Sequence, residues 1–333
     1  MPETDTLEQG PAQGPADRTG FRLAAFGAVL VVMLFAGYGI GRLNESLPES
    51  GVAGAPVAAA EADGHGHAAA GAPEHDDTGT APHVHNTDGS VTPGDATTAG
   101  VGSVGGLTVT SDGLTLAPAS TSFTAGKAQP LQFAIKAAGA PVTTYEVVHD
   151  KQLHLILVRR DLTGFQHLHP AMAPDGTWSI PLTLAEPGSY RAIADFTAVV
   201  GGKPVPTTLG VDLTVAGDYA PVALPAPARQ AVADTFQVSY EGEPRPGSTQ
   251  PLLMSVTTGG RPAALEPYLG AYGHLVVLRE GDVGYVHVHP EEQLIDGKVK
   301  FWLAAPGPGN YRMFLDFQVA GKVHTAAWTA TVS

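Results

Sequence analysis

Three histidines recur at one spacing in two places: His154, His167 and His169, then His274, His287 and His289. In each set the last two form a His-x-His-Pro run, and the first stands thirteen residues before the second. Neutral imidazoles within reach of one another suit Zn(II), Cu(II) or Ni(II). The sequence has no cysteine, which removes disulfides, thiolate metal sites and cysteine nucleophiles. Met172 follows His169-Pro170 closely, but no methionine stands at the matching place after His289. Soft sulfur ligands mark Cu(I) sites, so their scarcity favours Cu(II) or Zn(II). Asp195 and Asp316 occupy matched positions on a later strand of each set. Each could ligate a metal directly or accept from a histidine and fix its tautomer. His149 and His324 have no counterpart in the other set and are accessory candidates. The plain alternative is that these are ordinary core or surface histidines, with Asp195 paired to Arg191.

Spacing makes chemistry only if a fold brings the side chains together. Around both sets the sequence runs in short β-type stretches, "LQFAIKA", "LHLILV", "WSIPLTL", "YRAIADF" and "LGVDLTV", broken by turn residues such as Asp175-Gly176 and Gly201-Gly202. A hairpin centred on Gly281-Asp282 pairs residues whose numbers sum to 563, placing His274 opposite His289 and His287 opposite Val276. A hairpin centred on Asp161-Leu162 places His154 opposite His169 and His167 opposite Ile156 in the same way. Residues two apart on a strand share a face, so each set predicts three imidazoles on one patch. A loop of odd length would slip the register by one and break the prediction.

The two sets belong to an internal repeat. "HLILVRRDLTGFQHLHP" (154–170) aligns with "HLVVLREGDVGYVHVHP" (274–290) without a gap. Farther along, "PGSYR" matches "PGNYR" and Asp195-Phe196 matches Asp316-Phe317. The expected fold is all-β: two tandem Ig-like antiparallel β-sandwich domains at 104–218 and 230–333. Upstream, residues 44–103 are rich in Ala, Gly, Pro, Thr and Asp and read as a disordered linker. Its His65, His67, His75, His83 and His85 could collect metal weakly, because ordering a free chain costs about 1–2 kcal/mol per residue.

Residues 21–43 read as a transmembrane helix. Leu23 to Ile40 is an uncharged, mostly apolar run, and 18 residues of helix span roughly 27 Å, near the hydrocarbon thickness. The run gives way to Gly41, Arg42 and Leu43, which is not an A-x-A-like cleavage pattern and favours an uncleaved anchor over a signal peptide. Arg18 and Arg22 before the run outnumber Arg42 after it, so residues 1–20 read as a disordered cytoplasmic tail, with the C-terminal domains outside the cell membrane. The formal net charge is −14, with 18 Lys and Arg against 32 Asp and Glu, which argues against nucleic acid as a partner.

The runs "LHLILVRRDLTGFQHLHP" and "GHLVVLREGDVGYVHVHP" resemble those of uncharacterised membrane-anchored secreted proteins of high-GC Gram-positive bacteria with tandem His-x-His-Pro β-modules. The resemblance covers about residues 107–333 and the anchor. More loosely, the Gly-x-Pro pattern (Gly139 and Pro141, Gly260 and Pro262) and a sandwich bearing histidines are similar to periplasmic copper carriers. This chain lacks their N-terminal histidine and Met-rich loops. The resemblance implies a copper-binding protein that captures, buffers or delivers the metal, with a metal transporter or another copper-handling protein as partner. Two other readings stand beside it: a metalloenzyme using the His clusters, and a cell-surface interaction module with structural histidines. No general acid or base and no nucleophile motif supports the enzyme reading.

Overall fold

A computed structural model describes residues 83–85, 91–93, 104–286 and 288–333. The tail, the apolar run, His65, His67, His75 and His287 lie outside the described residues. Among those described, no helix is long and apolar enough to cross a membrane. Between the apolar run and the first module, His83–His85 pairs antiparallel with Val91–Pro93.

From residue 104 onward the described chain is strands and turns. The first module contains β1 (Leu114–Pro118), β2 (Ala128–Ala137), β3 (Leu153–Arg159), β4 (Gln166–Leu168), β5 (Thr177–Thr183), β6 (Gly188–Val200) and β7 (Lys203–Val215). Strands β5, β2 and β1 form one antiparallel sheet, and β7, β6, β3 and β4 form the other. Alternation in β2 turns Leu131, Phe133 and Ile135 inward. They meet Leu153, Leu155 and Leu157 of β3 and Ala192 and Ala194 of β6 in one core. Burying each Leu, Ile or Phe contributes about 1.5–3 kcal/mol.

The second module repeats this plan with β8 (Phe236–Glu241), β9 (Thr249–Thr258), β10 (His274–Arg279), β11 (Tyr285–Val286), β12 (Val288–Pro290), β13 (Val299–Ala304), β14 (Gly309–Val319) and β15 (Lys322–Val332). One sheet runs β8-β9-β13-β12 and the other β11-β10-β14-β15.

Strand β3 is buried at every position, so both of its faces are covered. Leu153, Leu155 and Leu157 face the module's own core. Ile156 and Val158 face Val276, Leu278 and Phe314 of the second module in a separate apolar cluster. Phe165 stacks on Phe314 there, with ring centroids 3.9 Å apart and planes 4° from parallel. The two modules are thus docked sheet to sheet through the strands that carry His154 and His274.

Candidate metal centre

The first hairpin has the register its sequence predicts. Ile156 pairs with His167 and Leu155 with Leu168, which carries His154 and His169 to one end of the same face. Leu162 takes the left-handed φ of 64° that the reversal requires. The imidazoles converge: His154 Nδ1 lies 3.2 Å from His167 Nε2 and 3.2 Å from His169 Nε2. One ligating atom from each ring falls within 4.8 Å of the other two.

The surroundings fix which nitrogens carry protons. His154 Nε2 donates to the Val148 carbonyl at 3.1 Å. A carbonyl can only accept, so neutral His154 keeps its lone pair on Nδ1. His167 Nδ1 donates to Asp316 Oδ2 at 2.9 Å, which leaves the Nε2 lone pair of a neutral ring turned toward His154. Two lone pairs facing at this distance repel unless a cation or a proton lies between them. Two nitrogens on a tetrahedral Zn(II), each about 2.0–2.1 Å from the ion, stand about 3.3 Å apart. The donor set and its spacing therefore fit a divalent metal.

Burial brings the His154 imidazole down to about 4, with the Val148 bond opposing and His167 adding to the fall. Burial, then the charge of His167, brings His169 down to about 3. Both are neutral near pH 7, the form in which imidazole ligates.

Residues 108–214 and 230–333 match the family described as a domain of unknown function, DUF8832. The chain belongs to that family. No curated protein matches it. Among solved structures it is similar to the Escherichia coli adhesin FdeC at 16% identity, TM-score 0.24, covering 67% of this chain and 65% of that one. A putative membrane anchored protein from Corynebacterium diphtheriae is similar at 11% identity, TM-score 0.21, covering 67% and 59%. Invasin, a bacterial integrin-binding protein, is similar at 13% identity, TM-score 0.20, covering 66% and 39%. The chain spans less than two thirds of each of these proteins. At scores this low, the sandwich is defined by its strand pairing alone.

Among the described residues, the second DUF8832 copy does not bring His274 and His289 together. Its hairpin keeps the predicted register, with Val277 opposite Val286 and Leu278 opposite Tyr285. The strand then leaves the sheet. Val288, His289 and Pro290 pair with Leu303, Trp302 and Phe301 of β13 in the opposite sheet. Val288 is buried in the second module's core, which draws the chain inward at this point. The expected pairing of His274 with His289 is therefore not formed.

His274 instead faces the first copy. Its ring lies 6.1 Å from those of both His154 and His167, and 5.3 Å from His149. Nε2 of His274 donates to the Tyr268 and Leu269 carbonyls at 3.1 and 3.2 Å, leaving Nδ1 as its lone-pair atom. Val148 and Tyr268 are repeat equivalents, so each DUF8832 copy holds its histidine by the same carbonyl of the same tight turn. Burial, then His149, bring His274 down to about 3.

Asp195 and Asp316 stand opposite His154 and His274 in their ladders. Asp195 accepts from Thr208 Oγ1 at 2.7 Å and from the Tyr285 hydroxyl of the second copy at 3.3 Å. Arg191 bonds Asp212 and the Gly106 carbonyl. His324 binds Asp234 at 2.7 Å and packs against Phe236 and Phe317, apart from the triad. Met172 packs against the first core, a structural task that accounts for it without a metal. Hairpin arithmetic did not foresee the crossing of His274, nor that it would bring His149, an accessory candidate, beside it. The signal was the unbroken apolar run "LHLILV", which marks a strand covered on both faces.

Proposed function

We propose that this is a membrane-anchored extracytoplasmic protein that captures a divalent transition metal at His154, His167 and His169. The observation that supports the reading is the pair of lone-pair nitrogens, His154 Nδ1 and His167 Nε2, fixed 3.2 Å apart by outer bonds to Val148 and Asp316. Cu(II) is favoured by the general order of affinities. The spacing is close to the tetrahedral value, so Zn(II) is the comparator. Delivery to a transporter or other copper-handling protein would follow from an open coordination position beside three protein ligands.

Calorimetric titration of the full chain in detergent, without a purification tag and with the five linker histidines replaced by alanine, tests this. One equivalent of Cu(II) or Zn(II) should bind, and His167→Ala with His169→Ala should abolish it. Protease added to intact spheroplasts should remove residues beyond the anchor; survival of the C-terminal module would refute the topology.

A second reading has its own support. His167 and Asp316 tie the two modules together through protein atoms alone. On that reading the chain is a cell-surface interaction module with structural histidines. It predicts no metal binding, with a loss of thermal stability in the same double variant.

A further inference from the structure

We infer that Asp316, contributed by the second module, is the positioning residue of the metal site on the first, so that metal binding and module docking are coupled. This rests on the metal-capture reading above. The site has a division of labour that crosses the repeat. The three ligating nitrogens belong to β3 and to the segment of β4 and His169. The carboxylate that holds His167 belongs to β14 of the other module. Both side chains of that pair are only 6% exposed, so water does not compete for the bond.

Asp316 is itself held. Its other oxygen accepts from Thr325 Oγ1 at 2.5 Å, across the β14–β15 ladder. A carboxylate on Nδ1–H of a ligating imidazole fixes the tautomer and raises donor strength at Nε2. Two residues before His167, Phe165 stacks on Phe314, anchoring β4 to the same strand, β14, that presents Asp316. Separating the modules would remove the stack and the carboxylate together. His167 would then be free to turn and to exchange tautomer. By linkage, a metal that binds the docked arrangement more tightly also favours docking.

The repeat-equivalent carboxylate, Asp195, takes bonds from Thr208 and Tyr285. The duplication thus supplies two matched aspartates at the interface, and Asp316 is the one that accepts from His167 Nδ1. The second copy acts on the metal as a positioning element held against the first.

The test uses the full chain with the linker histidines replaced by alanine. Wild type, Asp316→Asn, Asp316→Glu and Thr325→Val are titrated with Cu(II), and the Cu(II) d–d absorption is recorded. Amide hydrogen exchange is followed at Val276 to Leu278 with and without metal. Asp316→Asn should bind about 10- to 100-fold more weakly, with a shifted d–d band. Asp316→Glu should recover part of the affinity, and Thr325→Val should fall between. Metal should slow exchange in β10 of the wild type, although β10 supplies no member of the triad, and should not do so in Asp316→Asn. If the wild type binds one equivalent but Asp316→Asn and Thr325→Val match it in affinity, band and exchange, the coupling is refuted and metal capture stands. If the wild type binds no metal, both are refuted.

Discussion

His154 and His274, equivalent residues of the two repeats, face each other across the module interface with ring centroids 6.1 Å apart and planes 26° from parallel. Each donates its Nε2–H to the carbonyl of its own tight turn. The interface is therefore built around imidazoles that must stay neutral. Charging either one places a cation against a second buried ring, with the apolar cluster of Ile156 and Val276 behind it.

Stability should fall with acid in a defined window. The folded-state values of His154, at about 4, and of His169 and His274, at about 3, lie below their ordinary 6.5. Between these limits the unfolded chain binds protons that the folded chain refuses, so lowering the pH favours unfolding. The loss begins below about 6.5 and is complete by about 3. Melting in EDTA at pH 7.5, 6.0 and 4.5 should show a declining Tm, and His274→Gln should flatten the decline. A Tm that is level from 7.5 to 4.5 would refute neutral burial.

Phe314→Ala should undock the modules before it unfolds them. Phe314 is 4% exposed and stacked on Phe165, and removing a buried Phe side chain costs about 3–5 kcal/mol. The loss falls on the apolar cluster between the modules and on neither sandwich core. Calorimetry should resolve two transitions where the wild type shows one. A single transition at the wild-type Tm would exclude this account of the interface.

Asp161→Asn should loosen the connection between the modules. Asp161 pairs with Arg159 at 2.7 Å, with both side chains 5% exposed, and accepts from the backbone N–H of Val222 in the connecting segment. Burial alone would raise its carboxyl, but the bonds from Arg159, Val222 and Thr163 outweigh it and bring it down to about 2. Its stabilisation is present above the ordinary 3.8 and is lost as pH falls through about 2. Breaking a buried pair costs about 3 kcal/mol or more, which urea unfolding at pH 7 would read directly. An unchanged midpoint would show that the pair adds nothing.

Deleting residues 61–88 should remove only weak metal equivalents. That stretch holds all five linker histidines and none of the triad. Titration of the deletion should keep the single tight equivalent and lose the shallow tail of the isotherm. Loss of the tight equivalent would move the principal site into the linker.

The sequence by itself determined the strands, the duplication and the register beside both hairpin turns. Period-two alternation fixed which side chains share a face, and a turn centre then sufficed to bring His154, His167 and His169 together. The same arithmetic was right for Val277 and Val286 yet failed three residues later at His289. A register rule holds only while both strands stay in one sheet, and the pull of Val288 into its core is not a local property. Docking was equally out of reach. The apolar residues at Ile156, Val158, Val276 and Leu278 show that a second face is covered, but not by what. Only the tertiary structure decided that the cover is the other repeat, because burial across 120 residues of sequence depends on the shapes of two finished sheets. That docking gave His167 its carboxylate from Asp316 and set His274 beside a site it was expected to mirror.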